Sequence, residues 1–371
     1  MHVLMLGWEF PPFITGGVGV HCKNLTKELA DKGVKITYVI PKRSSDVKAD
    51  YMDVINIEGK ELYIYNSNQA SHELRSNVAN FIFNVINAVK DLNYDIIHCH
   101  EWVTFDAGVK LKELTGKPLV VSCHATEYDR TPHNPWNMII NKERNGLEKA
   151  DKIITVSNMM KNTIVEKYSI NSDKINVIYN AVNINDFKTN YHYTNHNKLV
   201  LFVGRLFVQK GIEFFLRAAK KVLEYQDNVD FVIIGSGDLI PQLVNESISL
   251  GIQDHVFFTG YISEEEKKKY YAASDVFVMP SISEPFGITA LEAAASKVPL
   301  IISKNSGCSE VINHCLKTDF WDIHKMAEYI LSVLDYDGLS EELADNAYNE
   351  CTKLTWNNVA EETKKIYEGL V

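Results

Sequence analysis

Two charged segments and two histidine-bearing ones carry the chemistry that this sequence offers. Arg205 and Lys210 lie in Gly204-Arg205-Leu206-Phe207-Val208-Gln209-Lys210-Gly211. A guanidinium fork and an ammonium point charge side by side suit a diphosphate, with a solvated surface loop as the alternative. Glu284 and Glu292 bracket Glu284-Pro285-Phe286-Gly287-Ile288-Thr289-Ala290-Leu291-Glu292. A helix starting near Gly287 would turn the backbone N–H groups around Phe286, Gly287 and Ile288 toward an anion. Glu292 shares the inward stripe of Ile288 and Ala295, where a carboxylate needs partners: sugar hydroxyls, or backbone in a structural role. Gly16 and Gly17 precede another helix, so they offer either an approach for an anion or only a tight turn. His98-Cys99-His100 and His124 stand at two further strand ends. His100 and His124 read as hydrogen-bonding groups presented to a ligand, and His98 as packed core. No spacing among them defines a metal shell, so no metal is expected.

These residues need a scaffold that brings strand ends together. Apolar runs at 3–6, 35–40, 96–100, 119–122, 152–156 and 175–178 predict strands, with weaker strand-like segments near 52–57 and 61–65. Helical spacing covers 18–32, 72–92, 104–114, 137–149 and 158–168. A polar stretch at 183–197 reads as a linker. The alternation then restarts, with strands at 199–203, 230–234, 256–259, 276–279 and 300–303. Helices are expected at 212–225, 240–250, 264–272, 287–296, 323–334, 340–351 and 357–370. Strands separated by helices of this length imply right-handed crossovers and parallel sheets. The expected fold class is α/β, with two doubly wound Rossmann-like domains facing across a cleft. The expected division is 1–182, a linker at 183–197 and a second domain at 198–355, with a final helix at 356–371 crossing back. Asp335-Tyr336-Asp337-Gly338 reads as a solvated turn rather than a metal motif.

Composition removes other classes. With 371 residues, 46% hydrophobic and 23% charged, the chain has the makeup of two folded domains. A net charge of −10 argues against a general nucleic-acid binder. The six scattered cysteines lack a C-x-x-C pair and read as buried hydrophobes in a reducing compartment. The start shows no signal-peptide core, and no apolar run is long enough for an integral membrane segment, so a cytoplasmic protein is expected. The first Gly-rich loop is too long for G-x-G-x-x-G, and the following strand ends in Pro41-Lys42 with no acid for a ribose, which disfavours a dehydrogenase.

Taken together, Gly16-Gly17-Val18-Gly19-Val20-His21, His124, Gly204-Arg205 with Lys210-Gly211, Gly235-Ser236-Gly237 and the E-x7-E pair resemble the retaining nucleotide-sugar glycosyltransferases of group 1 (family 4). The resemblance spans nearly the whole chain and implies the GT-B architecture. Gly7-Trp8-Glu9-Phe10-Pro11-Pro12 and the segment from His98 to Trp102 look like the glycogen and starch synthase side of that family. It implies that Arg205 and Lys210 hold the donor diphosphate and Glu292 the ribose. It further implies that Glu284, with the backbone of Phe286, Gly287 and Ile288, grips sugar and phosphates. His124 would touch the sugar near its anomeric carbon, Gly16 and Gly17 would close over the phosphates, and Gly235 and Gly237 would line the donor. His100 is grouped with the substrate-binding residues, and neither metal nor cofactor is implied. The expected donor is ADP- or UDP-glucose and the expected acceptor an α-glucan, with Trp8, Trp102 and Trp136 as stacking faces. A 2-epimerase for nucleotide sugars, or transfer to a small-molecule or lipid acceptor, is the alternative. A non-enzymatic sugar-binding protein would leave Arg205 and Lys210 without a purpose. Two features depart from the family. Ile14 stands where glycogen synthases carry Lys. The segment after 307–312 also lacks a Gly-rich hairpin, so the last sheet edge should be short or absent.

Overall fold

In the computed structural model, residues 1–14, 16–59, 71–131, 134–188 and 197–371 are described. The expected strand at 61–65 lies outside them. The chain divides into two compact units, Met1–Asn180 with Trp356–Val371, and Ala181–Thr355.

The first unit runs β1 (His2–Leu6), α1 (Gly17–Asp31), β2 (Lys35–Pro41), β3 (Asp53–Ile57), α2 (Ser71–Val89), β4 (Ile96–His100), α3 (Trp102–Thr115) and β5 (Leu119–Cys123). It continues with α4 (Glu127–Arg130), α5 (Asn137–Lys149), β6 (Lys152–Thr155), α6 (Asn158–Tyr168) and β7 (Ile175–Val177). The strands form one parallel sheet in the order β3-β2-β1-β4-β5-β6-β7. Helices cover both faces, so the strands are continuous buried runs rather than alternating ones: Val3, Leu4 and Met5 are fully enclosed, as are Leu119, Val120 and Val121. Strand order reverses between β1 and β4, and ligands in such sheets gather beyond the carboxyl ends at that reversal. There the chain places residues 7–14 and Gly16 and the residues following His100.

The second unit contains β8 (Lys198–Val203), α7 (Ile212–Leu223), β9 (Val229–Ile234), α8 (Ile240–Ser249), β10 (Val256–Gly260), α9 (Glu264–Ala273) and β11 (Val276–Met279). Then come α10 (Ile288–Ala295), β12 (Leu300–Ser303), β13 (Leu316–Thr318), α11 (Ile323–Asp335) and α12 (Asp337–Cys351). Its parallel sheet has the order β10-β9-β8-β11-β12-β13, reversing between β8 and β11. The core joins Val200, Phe202, Phe231 and Ile233 of the sheet to Phe215 of α7 and Ile330 of α11. The edge strand β13 has only three residues, paired to β12. The sequence had marked this edge as short or absent, and a run of that length carries no readable period.

α13 (Trp356–Glu368) returns to the first unit. Its buried stripe, Trp356, Val359, Ala360, Thr363 and Tyr367, has helical spacing. The Tyr367 hydroxyl lies 2.5 Å from His98 Nδ1, and Lys32 Nζ donates to Asn357 Oδ1 at 2.6 Å. The stretch read as an irregular linker is ordered at its start. Ile184–Phe187 forms a 3-10 turn whose Phe187 packs edge-on against Tyr271 of α9. Local polarity around Phe187 concealed that contact. Asp337 opens α12 directly after Tyr336, so the Asp335–Asp337 segment is a break between helices. All six cysteines are buried free thiols.

Candidate active site

In the second unit the β8/β11 reversal assembles the charged segments. The chain leaves β8 through Gly204 and Arg205, then turns through Val208–Lys210 into α7. β11 leads through Ser281 to Glu284. Lys210 Nζ lies 2.5 Å from Glu284 Oε2, and the Ser281 hydroxyl donates to the same oxygen at 3.1 Å. The cation read as one half of a clamp is thus already ion-paired, and the carboxylate read as a sugar grip is its partner. Arg205 places its guanidinium 5.4 Å from the Phe207 ring centroid. Arg205, Lys210 and Glu284 together carry a net charge of about +1 at pH 7.

Gly287 precedes α10 with φ 102, a left-handed conformation that a side chain would strain. Phe286 is buried, and its carbonyl accepts from Cys308 N at 2.7 Å. These contacts fix the entry to α10, where the Ala290 N–H already donates to the Gly287 carbonyl and the N–H groups of Ile288 and Thr289, in its first turn, have no intrahelical acceptor. Glu292, one turn into the helix, is 5% exposed and has protein partners that the sequence reading did not name. Lys267 Nζ donates to its Oε1 at 3.2 Å and the Tyr271 hydroxyl to its Oε2 at 2.9 Å, both from α9. Burial and then Glu292 hold the Tyr271 phenol well above its usual range. Sugar hydroxyls are therefore not required to offset the burial of Glu292. Gly235 and Gly237, expected to line the donor, pack closely on the loop after β8. A Cβ would lie 1.9 Å from the Gly204 carbonyl oxygen at Gly235 and 2.3 Å from that of Leu206 at Gly237. Close backbone packing on the Arg205 loop requires glycine at both places.

In the first unit Gly16 N donates to Glu9 Oε2 at 3.2 Å, so Gly16 is tied to the loop after β1, and Gly17 opens α1. His100 ends β4 and His124 follows β5; their Nδ1 and Nε2 lie 3.1 Å apart. His100 is fully buried, against the expectation of a group presented to a ligand, whereas His124 is partly exposed. His98, read as core, is spanned by Tyr367 on one nitrogen and Ser122 Oγ, 2.8 Å away, on the other. Burial lowers the pKa of His98 to about 3 and that of His21 to about 4, and keeps His100 and His124 well below the usual range. Trp8 and Trp102, suggested as stacking faces, are core residues; Trp136 is 39% exposed.

The backbone carrying His124 is held by a network that sequence reasoning missed. Glu101 Oε1 accepts from His124 N at 2.8 Å and from Ala125 N at 3.1 Å. Glu101 sits at φ 66, unusual for a residue with a side chain, directly after β4. Arg130 of α4 pairs with Glu101 at 3.1 Å, with Glu127 at 3.3 Å and with Glu143 of α5. One cation faces three buried carboxylates. Burial outweighs Arg130, raising Glu101 above the usual carboxylate range and pushing Glu143 up to about 7. The available signal was a Glu directly after the buried β4 run, but its partners come from two other elements.

A second grouping was also absent from the sequence reading, which expected no metal ligands. His21 of α1, His100 and His124 bring one nitrogen each within 4.8 Å of one another. Three elements contribute one residue each, so no local spacing revealed it.

Comparison with known proteins covers both units. Residues 15–186 match the model of glycosyltransferase family 4, and residues 185–350 that of the group 1 glycosyl transferases. An uncharacterized glycosyltransferase of Methanocaldococcus jannaschii is 33% identical, over 99% of this chain and 98% of its own length. The chain belongs to the group 1 glycosyltransferases of family 4. This glycosyltransferase is also similar to a glycogen synthase of Mycobacterium tuberculosis, 26% identical over 99% of this chain and 94% of the relative. Anabaena HepE, solved in complex with UDP-glucose, shares its GT-B fold with a TM-score of 0.78, 17% identity and full coverage of both chains. No helix among the described residues is long and apolar enough to cross a membrane.

Proposed function

We propose that this glycosyltransferase moves glucose from ADP- or UDP-glucose to the non-reducing end of an α-glucan, with retention at the anomeric carbon. The observation that carries the donor half is the second unit's strand-end cluster, where Lys210 of the Arg205-bearing loop after β8 is held by Glu284, just before α10. In this reading Arg205 and Lys210 take the charge that develops on the departing diphosphate, the α10 N-terminus adds backbone donors, and Glu292 meets the ribose. Glu284 fixes the Lys210 ammonium and reaches the sugar. His124, its backbone clasped by Glu101, contacts the hexose near the reacting carbon. Same-face attack then lets the leaving phosphate oxygen accept the acceptor's proton, so the protein chiefly positions groups and stabilises charge. The second unit serves as the donor domain and the first, closed by α13, as the acceptor domain. The glycogen synthase relative and the Gly7–Pro12 and His98–Trp102 segments support glucose and a glucan. Metal plays no part in turnover.

The test incubates labelled ADP-glucose and UDP-glucose, each with maltooligosaccharides, and reads chain length and anomeric configuration. Elongation by α-linked glucose is expected. No elongation with either donor, alongside transfer to a lipid or small alcohol, would overturn the acceptor. Isomerised free nucleotide sugar would point to a 2-epimerase.

A further inference from the structure

Within the first unit, His21 is directed by a contact that the transfer reaction does not need. Its Nδ1 lies 2.7 Å from Asn180 Oδ1. An amide oxygen only accepts, so Nδ1 carries the proton and Nε2 presents its lone pair. That Nε2 is buried and has no hydrogen-bond partner among the described residues. Orphaned polar atoms in a packed interior are costly and call for an explanation. The surroundings narrow it. The His21 ring lies 4.5 Å from that of His124 and 5.7 Å from that of His100, centroid to centroid, with the Trp356 ring edge-on at 5.6 Å on another side. His98 is not part of the set, since Tyr367 and Ser122 occupy both of its nitrogens.

We propose that His21, His100 and His124 form a site for one borderline-soft divalent cation, Zn2+ being the best match, whose occupation shuts off transfer. Zinc takes imidazole nitrogens at about 2.0–2.1 Å, and three histidines with a water in the fourth position make a known coordination set. Two nitrogens on one tetrahedral ion at that bond length stand about 3.3 Å apart. His100 Nδ1 and His124 Nε2, 3.1 Å apart, already stand near that spacing, and with the three ligand nitrogens within 4.8 Å of one another His21 Nε2 has to move toward that pair for all three to reach one ion. Asn180 supplies the outer-sphere acceptor that fixes the tautomer of a ligating histidine. The all-nitrogen donor set excludes Mg2+ and Ca2+, which take oxygen. Ligation would withdraw His124 from the sugar, and this inhibitory consequence rests on the role proposed for His124 above.

The experiment titrates the metal-free full-length protein with Co2+, read by visible absorption, and with Zn2+, read by bound-metal analysis and thermal melting. Expected are one equivalent per chain, a tetrahedral cobalt spectrum, a Zn2+-dependent rise in melting temperature and no response to Mg2+. His21→Ala should abolish all three signals. Asn180→Ala keeps every imidazole and should weaken binding about 10–100-fold, which separates lost ligation from lost folding. No saturable binding at one equivalent, or unchanged binding in His21→Ala, would overturn the site. Binding that tracks His21 while glucosyl transfer continues at saturating Zn2+ would leave the site standing and overturn the inhibition, and with it the placement of His124 at the sugar.

Discussion

Replacing Lys210 separates two contributions that the Lys210–Glu284 contact joins. The ammonium and carboxylate are 2.5 Å apart, with 19% and 9% of their side chains exposed. Removing one partner of a fully buried ion pair costs about 3–5 kcal/mol, because the remaining charge is stranded. Here part of the lysine reaches solvent and Ser281 still donates to Glu284, so about 2–3 kcal/mol is expected for Lys210→Ala. At about 2–4 °C per kcal/mol for a unit of this size, the second unit's melting midpoint should fall by about 4–12 °C. Adding Glu284→Gln removes the stranded charge, and the double variant should regain most of the lost stability. Activity should not follow. Loss of a preorganised charge donor lowers kcat/KM by about 100- to 1,000-fold, and the double variant should stay as impaired as the single one. Denaturant melts and initial rates with nucleoside-diphosphate glucose read both quantities. Recovery of rate together with stability would make Lys210 merely structural and refute the phosphate clamp. A single variant within about threefold of the wild type in kcat/KM, or about 0.7 kcal/mol, would refute it too.

Three further expectations follow from particular contacts. Glu143 is raised to about 7 in the folded chain, against an ordinary value of 4.5, and faces Arg130, the Tyr168 hydroxyl, the Glu127 backbone N–H and the Glu101 carboxylate. Between those pH values the unfolded chain binds fewer protons, so Glu143 lowers stability as pH rises through that window. The stability of Glu143→Gln relative to wild type should therefore climb from pH 4.5 to about 7 and level off above; a pH-independent difference would contradict the buried carboxyl. Tyr367→Phe leaves His98 Nδ1 without its hydroxyl partner and should cost the first unit about 1–3 kcal/mol, seen as a lower denaturation midpoint. An unchanged midpoint would mean that this contact contributes nothing to holding α13. If Arg205 and Lys210 act at the leaving group as proposed, EDTA should leave glucosyl transfer intact; loss restored by Mg2+ or Mn2+ would overturn that assignment.

Legibility differed by scale. Both sheets were readable because a strand buried on two faces must be a continuous apolar run, and β4, β11 and β12 start and end where the sequence placed them. The short last edge was expected, but its three residues were not read as a strand, and the ordered turn around Phe187 escaped because its apolar partner is distant in sequence. Within the site, the residue types and their strand-end positions were legible: Arg205, Lys210, Glu284 and His124 lie on the turns that follow strands, and Glu292 one turn into the helix after β11. Their partners were not. Lys210 meets Glu284 because β8 and β11 are neighbours at the sheet reversal, and Glu292 meets Lys267 and Tyr271 because α9 lies against α10. His98 is closed by Tyr367 from the far end of the chain, and His21, His100 and His124 converge from three elements. Hydrophobic period is a local property and survives in any window of sequence. Charge pairing and burial depend on which elements become neighbours, so the sequence by itself determined the fold and the kinds of groups at its strand ends, while the tertiary structure alone decided which of them are ion-paired, which are sealed from water and which nitrogens face one another.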